Sequence, residues 1–154
     1  MTQIVGLTRL EALYRTFVGL DLDKGRARRI LEIATKKLED LFREGQEKAW
    51  ARGSDVVEWS DLPLTRGLRQ TIEFYKRERE RLNDPRLDLT PIVERLEQEI
   101  KGLVIGESVK ENLQDLAATV LLLIGYVIKN IDPKARKPSN EDIERARRIL
   151  DLTI

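Results

Sequence analysis

One helical triplet is written twice along this 154-residue chain, and that repetition restricts its possible folds more than any other feature. Glycine and proline are sparse, and between them apolar residues recur at helical spacing. Leu7–Val18 carries Leu10, Leu13, Tyr14, Phe17 and Val18 on one stripe, with Thr8 as the predicted N-cap. Gly19 and residues 21–25 interrupt it. From about Gly25 to Ala51, a long helix is predicted by Ala27, Ile30, Leu31, Ala34, Leu38, Leu41, Phe42 and Ala49. After the β-prone stretch RGSDVVEWSD (52–61), a third helix is expected. Ser60 or Asp61 would cap it, Pro63 would fit its first turn, and Asn83-Asp84-Pro85 would stop it after Leu82. The second half repeats the plan. Thr90-Pro91 opens a short helix through Ile92, Val93, Leu96 and Ile100; Gly102 and Gly106 bracket a loop. A long helix then runs from about Ser108 to Ile131, and a last one is expected to carry Ile143, Ala146, Ile149, Leu150 and Leu152 inward.

The two halves keep register. Leu7-Thr8 returns 82 residues later as Leu89-Thr90, Gly19-Leu20 returns after 83 as Gly102-Leu103, and Asp61-Leu62 after 81 as Asp142-Ile143. A helical triplet with one wide apolar face on its long helix cannot bury that face alone, so each copy is expected to cover the other. The two long helices differ. The first leaves Arg28, Glu32, Lys36, Lys37 and Glu39 for solvent, whereas Leu116–Ile128 in the second has no charge on any side. A helix apolar all round must be covered all round. Elements of its own chain could do this, or a face could remain for a second copy of the protein. At 13 residues the uncharged run is short of the roughly 20 needed to span a bilayer.

A short–long–short helical unit whose second loop is β-prone and ends in V-x-x-x-D-hydrophobic resembles the histone fold. The first half reads Val57-Glu58-Trp59-Ser60-Asp61-Leu62; the second reads Pro138-Ser139-Asn140-Glu141-Asp142-Ile143, preceded by the basic Lys134-Ala135-Arg136-Lys137. Over about Leu7 to Thr153 the chain also resembles a bacterial family built as a histone pseudodimer in one chain, through GLDLDK (19–24) and SDLPLTRGLRQTI (60–72). The resemblance implies an all-α fold: one compact domain, 1–154, of two fused histone-fold units, 7–82 and 87–154, packed as an intramolecular handshake pseudodimer. Ile30, Leu38 and Leu41 would cross Leu116, Val120 and Leu123. Asp61, Ser139 and Asp142 would be structural loop and cap residues, with Arg136 and Asp142 able to close an internal clamp.

In histones, DNA crosses the first loop of one unit beside the second loop of the other, with phosphates on helix N-termini and basic side chains. Carried to this chain, one end pairs residues 20–29 with 129–137, eight cations against three carboxylates, +5. The opposite end pairs 52–61 with 103–112, two cations against five carboxylates, −3. The overall net charge of +1 conceals this contrast. It argues against DNA wrapping along the whole arc and leaves one phosphate-binding corner, with Lys24, Arg26, Arg28, Arg29, Lys134, Arg136 and Lys137 as the DNA-contact candidates. Arg9 and Arg15 extend the basic surface; Glu94, Glu97 and Glu99 oppose it. Solvated loop charge is the plainer reading of the same residues.

Enzyme chemistry finds little to use. The chain has no cysteine and no histidine, which removes disulfides, thiolate nucleophiles, imidazole shuttles and conventional zinc sites. No G-x-S-x-G, Walker A or G-x-G-x-x-G occurs. Trp50 and Trp59 flank the second loop of the first half and read as packing residues. KRERER (76–81) reads as an exposed helix end laced with ion pairs. The charged fraction of 36% is thermophile-like. The expectation is a non-enzymatic histone-like protein without cofactor, metal or membrane segment. It would be cytoplasmic and nucleoid-associated if it binds DNA. Its partner would be duplex DNA held weakly and without sequence preference, or a second copy docked on the apolar second long helix. The alternative is a protein-interaction or oligomerisation module that keeps the fold without the DNA.

Overall fold

The computed structural model describes residues 2–100 and 102–154, with side chains from Gly6 onward. Helices hold 74% of the chain and strands 3%, which makes the protein all-α. In chain order the elements are α1 (Thr2–Phe17), α2 (Lys24–Ala51), β1 (Val56–Val57), α3 (Arg66–Leu82), α4 (Thr90–Glu99), β2 (Val104–Ile105), α5 (Glu107–Lys110), α6 (Leu113–Ile131) and α7 (Asn140–Thr153). Two 3-10 turns, Trp59–Asp61 and Pro85–Leu87, precede α3 and α4.

α6 is the central rod. It packs on α2, α3, α7, α4 and α1, and from Leu113 to Lys129 none of its side chains is fully exposed. The apolar surface that the sequence left uncommitted is therefore covered by this chain's own helices, with Leu123, Tyr126 and Val127 half-buried at its margin. By length and composition α6 could cross a membrane, but its burial is that of a core helix. Ile30, Leu38 and Leu41 of α2 share one core cluster with Leu116 and Val120 of α6. α1 lies close because Gly125 has no side chain: a Cβ there would meet the Tyr14 ring and Val18 at 3.0 Å. The buried Tyr14 hydroxyl donates to the Leu121 carbonyl at 2.5 Å, and burial raises its pKa well above the usual tyrosine value. Tyr14→Phe is expected to lower unfolding free energy by about 1 kcal/mol, read by urea denaturation at unchanged m-value.

Several boundaries move from their sequence expectations, each for a local reason. Thr8 is not a cap: α1 continues upstream, with Leu7 buried and Gly6 against Ile92. α3 starts at Arg66 rather than after Ser60 or Asp61. The Asp61 carboxylate already holds the Glu58 N–H at 2.8 Å and Arg52 at 2.6 Å, so Thr65 caps the helix, accepting from the Leu68 N–H. Thr90 becomes the first helical residue because Asp88 accepts from both its N–H and its hydroxyl. The second long helix breaks at 111–112, where Asn112 donates to the Ser108 carbonyl and accepts from Lys76 Nζ at 3.1 Å. The cap at Ser139 stands: its hydroxyl oxygen accepts the Asp142 N–H at 3.0 Å.

Lys37, expected in solvent, is 6% exposed and ion-paired with Asp151 of α7. Asp151 is bridged to Arg147, Arg147 to Glu144, and Glu144 to Arg29. This ladder ties α7 along α2. Hydrogen bonding from Lys37 is the chief cause holding Asp151 below the usual carboxylate range, and Arg29 does the same for Glu144.

Candidate nucleic-acid interface

Loops from opposite halves meet at both ends of the molecule. At one end β1 and β2 pair in parallel, Val56 with Val104 and Val57 with Ile105, and the Gly106 N–H donates to the Val57 carbonyl at 2.9 Å. At the other, the Asp21 N–H donates to the Arg136 carbonyl at 2.7 Å. Residues 20–29 and 129–137 are thus neighbours, as the candidate corner requires.

The seven candidate cations divide into engaged and open. Lys24 Nζ lies 2.7 Å from Glu11 Oε2 and 3.3 Å from the Thr8 hydroxyl. Arg26 folds back on Asp23, the N-cap of α2, which also accepts the Arg26 N–H at 2.8 Å. That backbone bond is the chief reason Asp23 titrates below its ordinary range, with the charge of Lys137 adding to it. Arg29 reaches across to Glu144, Nε to Oε1 at 3.0 Å, and lies 3.6 Å from Glu32. It is a strut between α2 and α7, and this contact raises its pKa. Arg28, Lys134 and Arg136 are exposed and make no ion pair among the described residues. Lys137 is exposed beside Asp23.

The Arg136–Asp142 clamp does not form: Asp142 lies 4.0 Å from Arg145 instead. The first half has the corresponding clamp, Arg52 to Asp61, whose hydrogen bonds from Arg52 and from the Glu58 N–H hold Asp61 at about 2. By the 81-residue register Arg52 corresponds to Pro133, which has no cation to offer.

The acidic end is closed by its own side chains. Ser108 donates its hydroxyl proton to Glu58 and accepts the Trp59 N–H at 2.9 Å. The Glu58 carboxylate lies so close over Gly106 that a Cβ there would overlap it. An intrachain anion already occupies this loop pair.

Sequence reasoning missed two features. Lys37 falls inside the apolar stripe of α2, four residues before Leu41 and seven after Ile30, and that position was the available signal. Arg86 went unnoticed because only the 3-10 turn Pro85–Leu87 brings it beside α1.

Helices packed around one apolar rod, with paired loops at either end, define a small all-α protein. The chain belongs to the family described as "Domain of unknown function (DUF1931)", which matches residues 10–151. A relative from Aquifex aeolicus (strain VF5), described as an uncharacterized protein, is 30% identical over 153 residues, covering 96% of this chain and 91% of its own. A second from the same organism is 26% identical over 147 residues, covering 95% of this chain and 82% of its own. A crystal structure from Thermus thermophilus superposes with a TM-score of 0.83 at 30% identity, covering 96% of this chain and 97% of that one. An Aquifex aeolicus crystal structure at 23% identity has a TM-score of 0.75, over 97% of this chain and 95% of its own, and shares the fold.

Proposed function

We propose that this chain is a non-enzymatic histone-like protein: two fused histone-fold units, 7–82 and 87–154, forming an intramolecular pseudodimer that contacts duplex DNA weakly and without sequence preference at one loop corner. The observation that carries the reading is the Asp21–Arg136 backbone bond, which sets a basic loop of one half beside a basic loop of the other. Arg28, Lys134, Arg136 and Lys137 are the phosphate contacts. Lys24, Arg26 and Arg29 contribute positive charge from fixed positions, each paired with a carboxylate. The absence of imidazole and thiol supports a non-enzymatic role. So does the placement of Asp115: burial raises its pKa, but it is 5% exposed and paired with Arg79 at 3.0 Å.

A salt titration with a 30-base-pair duplex tests this. Binding is expected at ~1 μM or weaker at low salt, with a shallow log–log slope reflecting about three to four phosphates. Reversing Lys134 and Arg136 to Glu should abolish it. Absence of binding at 20 mM salt would reject the DNA reading. The second reading, an interaction module, is favoured by the same engagement of Lys24, Arg26 and Arg29, and by Trp50 at 56%, Val104 at 56% and Leu152 at 88% exposure. Sedimentation over a hundredfold concentration range tests self-association.

A further inference from the structure

A groove lies beside the loop corner, between α1 and the 3-10 turn Pro85–Leu87. It encloses about 480 Å³ and is lined by three arginines, Arg9, Arg15 and Arg86, around Ala12, Pro85 and a single carboxylate, Glu11.

Arg9 and Arg86 each have an anchoring hydrogen bond, Arg15 is tethered through Nε alone, and donors remain on the groove side. Arg9 donates to the Pro85 carbonyl, a neutral acceptor, and its charge also acts on the nearby Asp88 carboxylate. Arg86 is fixed by Asp84 through Nε at 3.1 Å and Nη2 at 2.7 Å, leaving Nη1 without a hydrogen bond among the described residues. Among the described residues Arg15 has one polar side-chain contact, Nε to Asp21 at 3.3 Å, and its side chain is 65% exposed. Glu11 would repel an anion, but Lys24 sits 2.7 Å from it and takes up that charge. Guanidinium forks suit the tetrahedral oxygens of phosphate. Neutral Ala12 and Pro85 between them suit a ligand that is extended.

We infer that this groove binds a ligand carrying two or more linked phosphates through Arg9, Arg15 and Arg86. The chemistry is the same whether the phosphates belong to a free polyphosphate anion or to a nucleic-acid backbone. The groove borders the proposed corner through the Arg15–Asp21 and Lys24–Glu11 contacts, and the test varies the two sites separately.

Calorimetric titration of the full chain with inorganic triphosphate, in parallel with duplex titration at low salt, distinguishes the sources. The groove variant is Arg9→Gln with Arg86→Gln, the corner variant Lys134→Glu with Arg136→Glu. For a free anion, wild type and corner variant bind triphosphate alike and the groove variant binds at least tenfold more weakly. For a backbone ligand, triphosphate is silent while the groove variant weakens duplex binding several-fold. Arg15→Gln alters an exposed side chain whose loss leaves the fold intact, and should weaken whichever ligand binds about threefold. Equal binding by wild type, the groove variant and Arg15→Gln, or no response to either ligand, overturns the inference. A corner variant that leaves duplex binding unchanged counts against the corner alone.

Discussion

Leu116→Ala is expected to destabilise the whole chain by about 3 kcal/mol, with fluorescence and far-ultraviolet circular dichroism reporting a single coincident transition. Leu116 is fully buried on α6, in the cluster that also holds Ile30, Leu38 and Leu41 of α2. Its truncation would leave a cavity in a core packed from several helices. Both tryptophans, Trp50 and Trp59, lie in the first half. A second-half mutation that shifts their transition midpoint by the full amount therefore shows that the halves share one cooperative core. Non-coincident transitions, with the tryptophans unaffected, would show two separable cores instead. At this chain length the loss corresponds to roughly 6–12 °C in Tm.

Asp151→Ala is expected to cost about 2 kcal/mol, more than a surface ion pair would, because it leaves Lys37 charged and buried. The figure stands below the usual cost of breaking a buried pair because the Asp151 side chain is 43% exposed and water can partly replace it. Lys37→Met should recover most of the loss in the Asp151→Ala background, since an apolar chain suits the stripe between Ile33 and Leu41. Additive losses in that double-mutant cycle would remove the buried-charge explanation. Asp151 and Glu144 both titrate below their ordinary values in the folded chain. Their contribution is complete above the unfolded carboxylate pKa, about 4, and is lost as pH falls through the lower folded values. The wild-type chain should therefore lose stability below pH 4 more steeply than Asp151→Ala does.

What the sequence made legible was whatever depends on neighbours along the chain. The apolar stripe of α2 and the Ser139 cap follow from residues within a few positions of one another, and both lie where spacing put them. The loop ends were also anticipated, with Val56 and Val57 extended and Gly102 and Gly106 flanking β2. Partners far along the chain were not legible. Arg29 was grouped with the free cations because its carboxylate, Glu144, lies 115 residues away. Thr65 displaced Asp61 as the cap of α3 because Arg52, at the end of α2, had already claimed the aspartate. In the candidate site the charge contrast between ends could be counted from sequence, whereas which cations face solvent depended on carboxylates from α1 and α7.

The seating of Glu58 over Gly106 has a mechanical corollary. On the proposed reading, a rod of phosphates approaching that pole would meet a like charge already in residence, so the two poles would not grip it together. Without a grip at both poles, the proposed contact would not wrap a stiff polymer around the molecule. Copies bound along a duplex would leave its contour length and end-to-end distance unchanged, and tethered-bead tracking would register occupancy without compaction.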